Sequence, residues 1–312
     1  MDVFVICLVV VVLVLKSVVY CTAQSSVITC QISRSVVSCG GRVPEGFRNK
    51  KRDMELMLSS SISTLSDLSL SIPDCTFKIN LGSGGSFNED ELCIARRVQS
   101  MRCVMVPNPY FGDLRVWEAS QKLLMKQNVP WDAKYNKVFY RGRCARGSES
   151  RFKLMCLQNS RLDVAWLKKG LSAECLQLFT NNQSTLNQHL VKSGHQYAEE
   201  HFSKYKFLVR LPGSSGGSYS RHLNYLWNKG AIVLLWESPV QEWYYKYLEE
   251  NVTHITVNEN SIVDTVERCL RLHRTEQLKF VQAAHSVFQR YLSRHAIALE
   301  WYRILLEHSV KL

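Results

Sequence analysis

The chain has 312 residues, enough for one large domain or two packed domains but too few for a long multidomain array. Hydrophobic residues make up 46% and charged residues 21%, values close to the globular average, and they exclude a disordered chain and a polytopic membrane protein. The formal net charge of +12 predicts an anionic partner: nucleic acid, an anionic membrane surface or a phosphorylated small molecule.

The amino-terminal segment has the pattern of a secretory signal peptide. Residues 3–15 form an apolar run that Lys16 ends, and this run is too short to span a hydrocarbon core about 30 Å thick. Small residues follow, and Ala23 before Gln24 is a suitable cleavage site. We therefore predict a signal peptide over residues 1–23; the alternative is an uncleaved anchor that extends through Val19. Both interpretations place the chain in the secretory pathway, in the lumen of the endoplasmic reticulum or Golgi or outside the cell.

Cysteine usage agrees with an exported chain. After the leader none of the cysteines lies in a C-x-x-C pair, so a zinc ribbon is not expected. Cys30 with Cys39 and Cys93 with Cys103 are candidates for local disulfides, although the sequence does not fix the connectivity. Two N-x-[ST] sequons are compatible with glycosylation.

Strands and helices are predicted to alternate along the chain, which indicates an α/β fold. Residues 24–71 are predicted to be an irregular segment that ends in a helix or strand packed on the body. Strands are predicted at 76–81, 103–106, 137–142, 204–211 and 231–236, and helices at 117–127, 219–228, 262–272 and 275–308. We expect one domain over residues 72–165 and a second over residues 166–312, with the terminal helices packing back across the body.

A Gly/Ser loop at residues 212–218 joins a predicted strand to a predicted helix. Gly213, Gly216 and Gly217 permit close approach of a ligand to the backbone, and Arg221 in the first helical turn would grip a diphosphate. A cation at the start of a helix interacts unfavourably with the helix dipole, so Arg221 is not expected to stabilise the helix. This favours a role for Arg221 in ligand binding. The loop has neither the P-loop nor the dinucleotide fingerprint.

Residues 205–245 carry a more specific pattern. It comprises Tyr205-Lys206-Phe207-Leu208, Gly213, Ser218-Tyr219-Ser220-Arg221, Tyr225-Leu226, Gly230-Ala231-Ile232-Val233-Leu234, Ser238-Pro239 and Glu242-Trp243-Tyr244-Tyr245. Upstream, Ile72-Pro73-Asp74 and Lys137-Val138-Phe139-Tyr140-Arg141-Gly142 occur in matching order. From residue 72 onward the chain resembles the Rumi-like protein O-glucosyltransferases, which include the fungal capsule-associated and plant relatives.

This resemblance implies two Rossmann-like domains that face a cleft, the GT-B arrangement. It also implies transfer of glucose or xylose from a UDP-sugar to a hydroxyl of a protein or glycan, with inversion. No metal or other cofactor is expected, in agreement with the absence of an Asp-x-Asp motif from the sequence. By similarity the nucleotide-sugar is bound by Gly213, Gly217, Ser218, Tyr219, Ser220, Arg221 and, at the ribose, Glu242, while Arg141, Gly142 and Arg151 close the cleft from the other domain.

The catalytic base is where the sequence departs from the pattern it resembles. Inversion in one displacement needs a base for the acceptor hydroxyl. Relatives have an Asp shortly after the strand that matches residues 77–80, and here Ser83 stands in its place. Glu89 and Asp90, or Glu91 beside them, are the alternative bases. A catalytically silent member that binds UDP-sugar or a glycan is the alternative function. The third hypothesis is a basic protein that binds nucleic acid. The predicted export of the chain and its disulfide-type cysteines argue against this hypothesis.

Overall fold

Two β-sheets organise this protein in the computed structural model. The structure describes residues 26–82, 91–99, 103–142, 149–157, 159–167, 190–191, 199–213 and 223–309. Within them the fold is mixed α/β with parallel strands in both sheets, as the sequence predicts. The predicted signal peptide lies outside the described residues.

The first sheet contains five strands in the order β2-β1-β3-β4-β6. The strands are β1 (Val27–Ser33), β2 (Val36–Gly40), β3 (Cys75–Asn80), β4 (Glu91–Cys93) and β6 (Val104–Met105). β1 is antiparallel to both β2 and β3, whereas β3, β4 and β6 run parallel. The carboxyl ends of these three strands therefore lie at one edge.

The prediction that residues 24–71 begin with an irregular stretch is wrong, whereas the helix or strand expected at the end of this segment is present as a helix. A hairpin of β1 and β2 turns at Arg34 and Ser35, both with positive φ, and helix α1 (Arg48–Asp67) follows. β1 alternates buried residues with half-buried or exposed ones, and its sequence shows this period of two, because Thr29 and Gln31 separate the buried Ile28, Cys30 and Ile32. In α1 the buried serine hydroxyls donate hydrogen bonds to backbone oxygens of the same helix; Ser61 Oγ, for example, donates to Met57 O at 2.8 Å. Because these hydroxyls are satisfied, a helix face rich in serine can be buried.

The second sheet contains six strands, all parallel, in the order β13-β11-β10-β7-β8-β9. The strands are β7 (Tyr135–Gly142), β8 (Leu162–Leu167), β9 (Leu190–Val191), β10 (Tyr205–Arg210), β11 (Ile232–Trp236) and β13 (Ile255–Val257). Every residue of β11 is buried, as its apolar sequence predicts. Two further short strands, β5 (Arg96–Arg97) and β12 (Val240–Gln241), pair antiparallel with each other.

The predicted domain boundary also needs correction. Strand 137–142 was expected in the first domain, but β7 lies in the second sheet between β10 and β8. The change between sheets thus falls between β6 and β7, upstream of residue 165. The local sequence of β7 suits either sheet, and its place is decided by pairing with β10, a strand far along the chain.

Six further helices cover the sheets in the described part of the chain. They are α2 (Leu114–Lys126), α3 (Glu149–Cys156), α4 (Leu223–Leu226), α5 (Ile262–Arg271), α6 (Arg274–Val287) and α7 (Arg294–Ser309). The single helix predicted over 275–308 is divided by a π-helical turn and by Ser293, which is extended. α7 packs back on α1, and the fully buried Trp301 contacts Phe77 of the first sheet. The prediction that the terminal helices pack back is confirmed.

Both predicted local disulfides form. Cys30 and Cys39 are cross-strand partners in β1 and β2, and Cys93 is joined to Cys103. Cys75, Cys156 and Cys269 are free. None of the helices in the described part of the chain has the length and hydropathy needed to cross a membrane.

Candidate functional site

The site is built at the carboxyl edge of the second sheet. β7 ends at Arg141 and Gly142, and β10 ends at Arg210, just before Gly213. β11 lies on the other side of β10 and leads into Ser238. In open parallel α/β sheets, ligands bind in the crevice outside this edge. The fold therefore gathers three of the predicted site residues, Arg141, Gly142 and Gly213, at one edge.

The carboxyl-edge loops of the two sheets are in contact. Asn108, just beyond β6 of the first sheet, donates a hydrogen bond from Nδ2 to the carboxylate of Glu242, and both side chains are buried. Nearby, β5 pairs with β12, so a loop from each sheet contributes to one small ribbon. The two sheets thus face each other at the edges where their parallel strands end, which is where a cleft is expected.

Arg141 is held by protein groups. Its Nη2 lies 2.6 Å from Asp163 Oδ1, and its Nη1 donates to the backbone oxygens of Asp163 and Tyr140 at 2.7 and 2.9 Å. The Tyr205 hydroxyl donates to the same carboxylate. Burial, together with this hydrogen bond, raises the pKa of Tyr205 above its ordinary value, so the hydroxyl stays protonated. Only 8% of the Arg141 side chain is exposed, and its nucleotide contact stays a prediction.

Arg151 positions the loop that was predicted to bind phosphate. It lies in α3, is buried, and donates from Nη2 to the backbone oxygen of Pro212 at 3.2 Å. This bond holds the start of the Gly/Ser loop next to β10. Arg141, Gly142 and Arg151 were expected to approach the nucleotide from the other domain. That expectation is wrong, because all three belong to the second sheet or to the helix that follows β7.

Gly142 has a structural explanation. A Cβ at this position would overlap the Tyr140 hydroxyl and lie 2.5 Å from Tyr140 Cζ. The two residues are on the same side of β7, because side chains two apart in a strand share a face. Gly142 therefore makes room for the buried tyrosine ring, whether or not a ligand also approaches it.

A cavity of about 390 Å³ lies at the carboxyl end of β11. Its lining includes Glu237, Ser238, Gln241, Glu250, His254 and Thr256. His254 Nε2 lies 3.2 Å from Glu250 Oε2, while burial lowers the pKa of His254, which favours the neutral ring. Except for Ser238, these residues belong to none of the sequence patterns described above. A signal existed for Glu237, which directly follows an apolar strand.

At the facing edge, Asn80 fixes the start of the loop that follows β3. Its Oδ1 accepts from Ser26 Oγ at 2.7 Å and from Gly82 N at 2.9 Å, and its Nδ2 donates to Glu91 Oε2 at 3.4 Å. Glu91 is buried beside it. Asn80 therefore forms hydrogen bonds to Gly82 and Glu91, the residues on either side of the segment that contains the predicted base position.

Several predicted site residues lie outside the described residues: Ser83, Glu89, Asp90, Gly217, Ser218, Tyr219, Ser220 and Arg221. Their roles stay predictions. Among the residues that the structure does describe, no group of three or more His, Cys, Asp and Glu side chains is arranged to hold a metal ion.

These features define an α/β protein in which loops at the carboxyl edges of two sheets are in contact. The model of the family described as Glycosyl transferase family 90 matches residues 105–312, two thirds of the chain, and the match includes the whole second sheet. The protein belongs to this family, and the resemblance found in its sequence is confirmed. No curated protein matches the chain.

Solved glycosyltransferase structures are similar at a low level. A mutant of S. aureus TarM, solved with fondaparinux, α-GlcNAc-glycerol and UDP, is 13% identical with a TM-score of 0.38, over 57% of this chain and 37% of that one. Anabaena HepE with UDP and glucose is 12% identical (TM-score 0.39), over 61% and 51%. A Rickettsia africae glycosyltransferase is 12% identical (TM-score 0.39), over 86% and 69%. The chain spans little more than a third of the length of the TarM chain.

Proposed function

We propose that the protein transfers glucose or xylose from a UDP-sugar to a hydroxyl of a protein or glycan, with inversion and without a metal ion. One observation carries this proposal. The chain belongs to glycosyl transferase family 90, and β10, the strand that leads to the Gly/Ser loop, ends at the carboxyl edge of the second sheet. This edge faces the first sheet, and the hydrogen bond between Asn108 and Glu242 joins the two sheets there.

The donor diphosphate is proposed to bind at the Gly/Ser loop. Backbone N–H groups and the guanidinium of Arg221 would bind its oxygens, and Arg151 would hold the loop in place through Pro212. The nucleoside would then extend along the edge into the cavity beside β11. Glu237, whose Oε1 accepts from Asn258 Nδ2 at 2.9 Å, would accept from the ribose hydroxyls there through its other carboxylate oxygen. Glu242, first predicted for this role, is 3% exposed and already accepts from Asn108.

The transfer step follows from this placement. The acceptor oxygen attacks the anomeric carbon as its proton passes to a base, and the bond to the diphosphate breaks with UDP as the leaving group. The same amides and guanidinium stabilise the charge that develops on UDP. The acceptor would lie at the loop after β3, whose ends Asn80 holds. Glu89, Asp90 and the buried Glu91 are the carboxylates at the end of that loop.

A silent, sugar-nucleotide-binding protein is the second candidate, because Ser83 stands at the expected base position. A serine hydroxyl is not a base at neutral pH. Either function fits the secretory pathway: the two disulfides are typical of exported proteins.

The experiment is a UDP-release assay with UDP-glucose and UDP-xylose, in buffer with and without EDTA. We expect release with at least one donor and no loss of rate in EDTA. Saturable UDP binding without turnover, across a panel of hydroxyl acceptors, would favour the silent alternative. Release that EDTA abolishes and Mg²⁺ or Mn²⁺ restores would contradict metal independence.

A further inference from the structure

A second cavity, of about 410 Å³, lies away from the proposed donor site. It is lined by Arg96, Cys103, Val104, Met105, Trp243, Lys246 and Arg303. These residues come from the β5–β6 region of the first sheet, the segment after β12 and helix α7. The cavity is thus assembled from three separate parts of the chain.

The charged residues that line this cavity are all basic. Arg303 pairs with Glu300 at 2.7 Å and with Glu307 at 2.8 Å, so two carboxylates hold its guanidinium. Arg96 donates from Nη1 to the backbone oxygen of Cys103 at 3.2 Å. In the described part of the chain, neither Arg96 nor Lys246 forms an ion pair with a carboxylate. The cavity therefore carries a local excess of positive charge.

Two of the residues that line the cavity, Trp243 and Arg96, each carry a buried donor without an acceptor among the described residues. Trp243 is 2% exposed, and no atom of the described residues accepts a hydrogen bond from its Nε1. The same holds for Arg96 Nε. Buried N–H groups without an acceptor are unfavourable and uncommon in folded proteins. An indole N–H and a guanidinium N–H beside a free ammonium group are the donor set that an oxyanion requires.

We propose that this cavity binds a small oxyanionic group: a phosphate, a sulfate or a carboxylate. Its oxygens accept from Trp243 Nε1 and Arg96 Nε, and the guanidinium of Arg96 and the ammonium group of Lys246 supply the charge. The group comes either from a free anion or from an acidic substituent of a glycan. This site is independent of the donor site, because it shares no residue with the Gly/Ser loop or with the cavity beside β11.

The test uses the full protein labelled with ¹⁵N at its seven tryptophans. The Trp243 indole resonance is assigned from its loss in Trp243→Phe, and it is followed during titration with phosphate, sulfate and glucuronate at constant ionic strength set with chloride. We expect a saturable shift with at least one anion. Binding at least fivefold weaker is expected in Lys246→Met and in Arg96→Met, and Lys246→Arg should retain most of the affinity.

Lys279→Met, an exposed substitution on α6 away from the cavity, is the matched control and should bind as the unmodified protein does. A phosphate or sulfate response assigns the site to free inorganic anions, and a response to glucuronate alone assigns it to acidic glycans. The proposal is overturned if no anion gives a saturable shift, if chloride alone gives the same shift, or if the Lys246→Met and Arg96→Met variants bind unchanged. UDP affinity measured on the same variants should not change.

Discussion

Asn108 and Glu242 are 134 residues apart in sequence, yet their side chains form a buried hydrogen bond between the edges of the two sheets. Asn108 is fixed in turn, because its Oδ1 accepts from the backbone N of Tyr110 at 3.1 Å. One amide group thus caps a turn beyond the first sheet and binds a carboxylate beyond the second. The bond couples the two halves of the proposed cleft.

Removal of this amide should destabilise the protein. Asn108→Ala leaves the buried Glu242 carboxylate without one of its donors, and we expect a loss of about 1–3 kcal/mol in the free energy of unfolding. Urea unfolding of the two proteins measures this difference in the free energy of unfolding. A double-mutant cycle with Glu242→Ala, which removes the acceptor, isolates the pair, and it should give a coupling of at least about 0.5 kcal/mol. Additive effects of the two substitutions would show that the bond does not stabilise the native state.

Gly142→Ala should be destabilising because the added methyl group overlaps the Tyr140 ring. Overpacking of this kind costs about 1–3 kcal/mol. Gly46→Ala is the matched control, since a Cβ at Gly46 has no atom within 4 Å. Thermal and urea unfolding of both variants are compared. If Gly142→Ala and Gly46→Ala have equal free energies of unfolding, the packing explanation is refuted, and ligand binding becomes the better explanation for a glycine at position 142.

The Cys30–Cys39 disulfide should contribute measurably to stability. It joins facing residues of β1 and β2, with nine positions of sequence separation, and its loss should cost about 2–3 kcal/mol. Cys30→Ser/Cys39→Ser is compared with Cys156→Ser, which removes an exposed free thiol and should leave the unfolding free energy unchanged. If peptide mapping finds Cys30 bonded to another cysteine, the assignment of this pair is wrong.

The sequence predicts the second sheet better than the first. Its apolar parallel strands, such as β10 and β11, have an unambiguous local pattern, and the short spacing of the two cysteine pairs indicated both disulfides. The hairpin of β1 and β2 was missed although β1 alternates apolar and polar residues, which is a local signal of a half-buried strand.

Parts of the site have no local signal in the sequence. The partner of Arg141 is Asp163, on the neighbouring strand β8, and the partner of Glu242 is Asn108 on the other sheet. Such pairs depend on strand order, which the residues around either partner do not encode. The assignment of β7 to the wrong domain has the same cause.

Substitution of Ser83 tests the proposed base position. Ser83→Asp restores the carboxylate that relatives have there, and we expect the rate of UDP release with a hydroxyl acceptor to rise at least tenfold. Ser83→Asn, which has the same shape without the charge, is the control and should give no gain. If Ser83→Asp binds UDP-sugar normally and its rate does not change, the base lies elsewhere, and Glu91→Gln then tests the carboxylate that Asn80 holds.

The central claim is that the Gly/Ser loop and Arg221 bind a nucleoside diphosphate, and calorimetric titration with UDP in EDTA tests it most directly. We expect saturable binding by the unmodified protein and at least tenfold weaker binding by Arg221→Ala, a loss of about 1.4 kcal/mol, at unchanged thermal stability. Arg290→Ala, which removes an exposed guanidinium elsewhere, should bind UDP normally. No binding by the unmodified protein, or equal affinity in Arg221→Ala, would contradict the account.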